Sequence, residues 1–147
     1  ETAMIAVDTN ILVYAHRKDS PWHRKAAEVL TAIAESPEPW AIPWPCVHEF
    51  LSITTHPRIY KPPTPPARAL ADLQTWFESP SLRIISETDS YWPILEQIIT
   101  SSAAVGPLVH DARIAAICRA HGVTTLLSAD RDFSRFNIRI RNPLKAD

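Results

Sequence analysis

Four carboxylates could do chemistry in this chain: Asp8, Glu49, Asp111 and Asp130. Asp8 follows directly on Met4–Val7, a short apolar run of β-forming residues. Asp130 follows Leu126-Leu127-Ser128-Ala129, a second such run. If both runs are strands of one parallel sheet, both acids stand beyond its carboxyl edge, where open α/β sheets bind ligands. A cap for the following helix is the competing reading for each, since Asp is favoured there. Asp111 is more telling. On a helix at about 100° per residue, Leu108, Ile114, Ala115 and Cys118 all fall within about 60° of it, with Arg113, Ala116 and Ala120 on the far side. That puts Asp111 on the apolar, sheet-facing stripe. A buried carboxylate there needs a cation, hydrogen bonds or a proton, because leaving it unpaired costs several kcal/mol. An ion pair with an arginine competes. Glu49 lies on a mixed face with Cys46, Ser52, Ile53 and His56, while Val47, Leu51 and Thr54 cover the opposite side, so a solvated Glu competes for it.

Carboxylates gathered on one rim repel one another unless a cation neutralises them. Oxygen donors without Cys or His suit Mg²⁺ or Mn²⁺. Zinc is disfavoured, because no CxxC or HxxxH spacing occurs. Of six histidines, His48 and His110 stand immediately before Glu49 and Asp111. A histidine pair could serve acid–base cleavage of RNA through the ribose 2′-hydroxyl. Each is turned about 100° from its neighbouring acid on a helix, so both are read as flanking residues. A phosphoryl-transfer protein with Asp8 as nucleophile is disfavoured, because no Asp-x-Asp surrounds Asp8.

The elements that must position these acids alternate. Strands are predicted at Met4–Val7, Trp40–Pro43, Leu82–Ser86, Thr124–Ser128 and Ile138–Ile140. Helices are predicted at 10–17, from Ser20-Pro21 to about Glu35, from Pro45 to about Thr55, from Thr64-Pro65 to about Ser79, from 88–90 to about Ser102, and from Pro107 to His121, with Gly122 in the C′ position. Residues 131–136 read as one helical turn. Strands separated by helices imply an α/β fold with a mostly parallel sheet of four to five strands, covered on both faces. The segment Pro57–Pro66, rich in proline and basic residues, reads as a stiff connector; a PxxP-type ligand is the alternative.

The 147 residues fit one domain spanning 1–147, with Glu1–Ala3 read as a remnant ahead of a native start at Met4. Hydrophobic residues make up 46% and charged residues 21%, an ordinary globular composition. The two cysteines, Cys46 and Cys118, suggest no disulfide scaffold and a reducing, cytoplasmic setting. No apolar run approaches the roughly 20 residues of a membrane span, and no signal peptide precedes Asp8. Two glycines and no Gly-rich loop disfavour P-loop and dinucleotide-binding folds. The net charge of −1 signals no nucleic-acid partner globally. Locally, Arg131, Arg135, Arg139, Arg141 and Lys145 outnumber Asp132 and Asp147, which could attract phosphate; a solvated surface competes. The five tryptophans are read mainly as core, although some could stack on bases.

The motifs are also recognisable. Met4-Ile5-Ala6-Val7-Asp8-Thr9-Asn10-Ile11-Leu12-Val13-Tyr14-Ala15, His48-Glu49-Phe50, Leu108-Val109-His110-Asp111-Ala112-Arg113-Ile114-Ala115-Ala116 and Leu127-Ser128-Ala129-Asp130-Arg131-Asp132-Phe133 resemble, in order, the acidic motifs of the PIN domain. The length and the first and third runs resemble in particular the VapC toxins of bacterial toxin–antitoxin systems. The resemblance implies a PIN-like three-layer α/β/α fold. It implies that Asp8, Glu49, Asp111 and Asp130 hold one or two Mg²⁺ or Mn²⁺ ions, Asp8 and Asp111 foremost. It implies cleavage of RNA, commonly tRNA or rRNA, by a metal-activated water that leaves a 5′-phosphate and a 3′-hydroxyl. Thr9 would orient a ligand or phosphate, Asp132 would add a ligand or cap its turn, and Arg131 and Arg135 would contact RNA. A homodimer and a cognate VapB-like antitoxin are implied as well. A PIN nuclease of RNA maturation and a non-cleaving binding module are the alternatives; the modest net charge and the 57–66 segment motivate the second. That segment matches no element of the family.

Overall fold

The computed structural model describes residues 4–145; the expectations about Glu1–Ala3 and the charge of Asp147 lie outside them. Five strands form one sheet: β1 (Met4–Val7), β2 (Trp40–Pro43), β3 (Leu82–Ile85), β4 (Val123–Leu127) and β5 (Arg139–Arg141). Their order is β3-β2-β1-β4-β5, and every neighbouring pair is parallel. From β1 the chain builds outward through β2 to β3, then returns to the other side of β1 for β4 and β5. The order therefore reverses between β1 and β4, the place where such sheets open a ligand-binding crevice.

Helices fill the connections: α1 (Thr9–His16), α2 (His23–Glu35), α3 (Trp44–Thr54), α4 (Pro66–Phe77), α5 (Tyr91–Ser102) and α6 (Leu108–Ala120). Helix α1 packs on both α2 and α3, α3 packs on α4, and α5 packs on α6. A 3₁₀ segment, Arg131–Phe136, lies between β4 and β5. The α/β class, the parallel sheet and the single helical turn stand as expected. All of β2 is buried, which a strand covered on both faces requires. The core gathers Ile11, Leu12, Trp40, Phe50, Ile114, Leu126, Phe133 and Phe136. No helix among the described residues is long and apolar enough to cross a membrane.

Several local expectations are corrected. Ser20 does not cap α2, which starts at His23 behind Trp22; the Ser20 hydroxyl instead accepts the Trp22 N–H at 3.1 Å and closes a turn. Thr64-Pro65 likewise stops short of α4, which opens at Pro66. The Thr64 hydroxyl is taken by His16 and Arg17 instead. Ser90 stands at the N-cap of α5 without a side-chain capping bond. Of the tryptophans only Trp40 is fully buried, whereas Trp22, Trp44 and Trp92 are exposed. Helix α6 is not one-sided: Ala116 is buried along with Ala112, Ile114, Ala115, Ile117 and Cys118. A helix enclosed nearly all round carries no clear stripe, so its wheel could not rank its faces. Gly122 does take the left-handed backbone, φ +73°, that closes α6.

Candidate active site

Asp8 occupies the N-cap position of α1, yet its side chain makes no capping bond. The cap explanation therefore fails for it. Its backbone N–H donates to the Leu127 carbonyl at 2.9 Å, so the carboxylate stands where β1 and β4 end side by side. The side chain is held from two directions. Ser128 donates its hydroxyl to Oδ2 at 2.7 Å, and the Cys46 thiol donates to Oδ1 at 3.7 Å. Asp8 is only 4% exposed. Burial raises its pKa from 3.8 to about 6, Ser128 counters part of the rise, and the charges of Glu49 and Asp130 add to it.

Asp130 reaches the same place from β4. Its N–H donates to the Ser128 hydroxyl oxygen at 2.9 Å, and its own Oδ1 accepts the Asp132 N–H at 2.9 Å. For Asp130 the capping reading holds, alongside its place at the rim. Asp132 is exposed in the first turn of the 3₁₀ segment; its charge reaches the site by raising Asp111. Asp111, in the first turn of α6, is half-buried rather than enclosed. Burial lifts it to about 6, with further contributions from Asp130, Asp8 and Asp132. Glu49, half-buried on α3, is raised by burial and then by Asp111. Neither the arginine pair proposed for Asp111 nor a freely solvated Glu49 is what the fold contains. The ion pairs among the described residues involve none of the four acids.

These acids fit a divalent cation by chemistry: hard oxygen donors, mutually repelling, and none of them in an ion pair among the described residues. Among the described residues, no three are already close enough together to enclose one ion. The buried Thr9 hydroxyl, 5% exposed, has no hydrogen-bond partner in the protein. An unsatisfied buried hydroxyl costs about 1–3 kcal/mol, so a ligand at the site that met it would recover that loss.

A cleft of about 680 Å³ opens beside the acids. Glu49 and Asp111 line it together with His48, His110 and Arg113. The two histidines are therefore exposed walls of the site. A smaller cleft of about 320 Å³ lies on the other side of Asp130, lined by Arg131, Ser134, Asn142 and Lys145 among others. Arg131 lines this cleft beside Asp130, whereas Arg135 is exposed and lines neither cleft. Sequence reasoning missed Ser128, Cys46 and Asn10, whose Oδ1 accepts the Ala129 N–H at 3.2 Å. The Ser-x-Asp spacing of Ser128 and Asp130 was the one available signal.

Residues 5–138 match the PIN domain. The chain belongs to the PIN-domain family. Within it, this PIN domain falls among the VapC proteins. It is 33% identical over 137 residues to Ribonuclease VapC48 of Mycobacterium tuberculosis, spanning 92% of this chain and 94% of the relative. It is 32% identical over 142 residues to Ribonuclease VapC43 of the same organism, 96% of each. In fold, this PIN domain is similar to VapBC2 from Rickettsia felis bound to a DNA fragment from its promoter. That likeness has a TM-score of 0.69 at 19% identity and covers 95% of this chain and 98% of the other. It is also similar to Mycobacterium tuberculosis VapC20, described as a Sarcin-Ricin loop cleaving toxin. There the TM-score is 0.65 at 16% identity, over 91% and 95% of the two chains.

Proposed function

We propose that this PIN domain is a Mg²⁺- or Mn²⁺-dependent endoribonuclease, the toxin of a VapBC-type pair. The observation that carries the reading is the convergence of Asp8, Glu49, Asp111 and Asp130 on one sheet rim, none of them in an ion pair among the described residues. Relatives named as ribonucleases support the substrate class. A VapBC complex of similar fold supports an antitoxin partner.

Asp8 and Asp111 would hold the metal, with Glu49 and Asp130 completing its surroundings. When bound, the ion supplies charge to the phosphate and acidity to a coordinated water. The chain supplies the rest. Ser128 and Cys46 fix the rotamer of Asp8 from below. Thr9 presents an unused hydroxyl for a phosphate oxygen or a ligand water. Arg131 and Lys145 place positive charge in the cleft beside Asp130, where it would attract an RNA backbone.

The test is cleavage of RNA by wild type and Asp8→Asn with Mg²⁺, Mn²⁺ or chelator, followed by sequencing of the cut ends. Wild type should leave 5′-phosphates in a metal-dependent reaction, and Asp8→Asn should be inactive but folded. Equal cleavage by the two proteins would falsify the reading. Growth arrest on induction, relieved by the adjoining antitoxin, would separate a toxin from a nuclease of RNA maturation.

A further inference from the structure

His48 precedes Glu49 on α3, and His110 precedes Asp111 on α6, so each imidazole rides on the same helical turn as an acid. About 100° of helical rotation carries each ring off the acid's own direction. The two helices nevertheless face a common cleft, and both rings line it. His48 Nδ1 must donate to the Trp44 carbonyl oxygen, 3.0 Å away, because a carbonyl only accepts. In the neutral ring this leaves Nε2 as an acceptor. The Trp44 ring stands 6.4 Å from the His48 ring, tilted by 53°, and is 40% exposed. Pro45 and Pro107 add flat, rigid faces to the same walls. Arg113 does not compete for the acids, because its Nε donates to Glu87 Oε2 at 2.6 Å.

The two imidazoles are exposed rather than packed into the core, and a bare cation would not need them. The cleft's volume falls within the range of small-ligand sites, roughly 300–1,000 Å³. Its chemistry is what holds unstacked bases: planar rings for stacking and a fixed acceptor for an exocyclic amine. We propose that His48 and His110 form a nucleotide subsite, which holds one unstacked RNA base beside the carboxylates and selects the nucleotide at the cut. This rests on the ribonuclease reading above.

The test measures binding, so that it does not depend on turnover. Single-stranded six-nucleotide RNAs differing in their central base are titrated against Asp8→Asn by fluorescence anisotropy. The same is done with His48→Ala/His110→Ala added to it. Loss of the two rings should weaken binding about 5- to 150-fold, the loss that removing a base-stacking side chain produces. It should also level the differences among the four bases. His48→Phe/His110→Phe keeps ring surface without the acceptor and should restore affinity but not the preference for amine-bearing bases. Unchanged affinity and base ranking in the alanine variant would overturn the subsite while leaving the nuclease reading standing. RNA binding that needs both histidines, in a protein whose wild type releases no metal-dependent products, would do the reverse.

Discussion

Ser128 donates its hydroxyl to Asp8 Oδ2 at 2.7 Å across 120 positions of sequence, tying the ends of β4 and β1 into one acidic rim. The same oxygen accepts the Asp130 N–H, so Ser128 orients two acids at once. Partners of this kind behind metal ligands change affinity or activity by about 10- to 100-fold when removed. Ser128→Ala should therefore raise the Mg²⁺ or Mn²⁺ concentration needed for half-maximal cleavage by about that factor, and Ser128→Thr should recover much of it. An unaltered metal requirement in Ser128→Ala would remove this role.

Metal-free stability should fall as pH rises through the acidic range. Folded Asp8 keeps its proton up to about 6, while the unfolded chain releases it near 3.8. Between those values the folded state binds more protons, so unfolding becomes easier as pH rises, and the loss is complete above about 6. For Asp8 that rise corresponds to ~3 kcal/mol at most. Asp111 and Glu49 act in the same direction, more weakly for being half-exposed. Thermal melts of wild type and Asp8→Asn at about pH 4.5 and 7.5 provide the check. The loss of stability from the lower to the higher pH should be larger in wild type than in Asp8→Asn, which keeps only the smaller share due to Asp111 and Glu49.

Divalent cation should reverse that loss. At about 100 times its dissociation constant a bound ion stabilises by about 2.7 kcal/mol, some 5–10 °C for a chain of this size. Mg²⁺ or Mn²⁺ at pH 7.5 should raise the melting temperature of wild type by this order and leave Asp8→Asn nearly unmoved. Equal shifts in both proteins would place the ion elsewhere.

A second polar cluster holds the proline-rich segment. His16 Nδ1 bonds Asp72 at 2.5 Å, and its Nε2 bonds the Thr64 hydroxyl at 2.8 Å. Arg17 donates to the Pro62 carbonyl at 3.0 Å and lies 4.2 Å over the Tyr60 ring. Thr64→Val keeps the shape but leaves His16 and Arg17 short of a partner, a loss of about 1–3 kcal/mol. The variant should melt lower and be cut faster by trypsin after Arg58. Proteolysis at the wild-type rate would show that the segment is held by other means.

Much of this protein was legible because the signals are local. An apolar run ending in Asp, a helix ending at Gly122 and prolines at helix starts act through neighbouring backbone, and all five strands were read to within a residue at each end. The capping of helices was less legible. Ser20 and Thr64 offer hydroxyls that suit either a cap or a turn, and distant partners decided between them. The faces of α6 were illegible, since an element packed nearly all round has no periodicity to reveal its buried side.

The sequence alone determined which acids exist, which strand or helix each follows, and hence the resemblance to a PIN domain. Only the tertiary structure decided how they meet. The reversal of strand order between β1 and β4 puts Asp8 against Ser128 and near Asp130. The placement of α3 and α6 around one cleft brings two histidines together there. The physical reason is that backbone preference acts over a few residues. A meeting of side chains more than a hundred positions apart depends on strand order and register, which the packing of the whole chain selects.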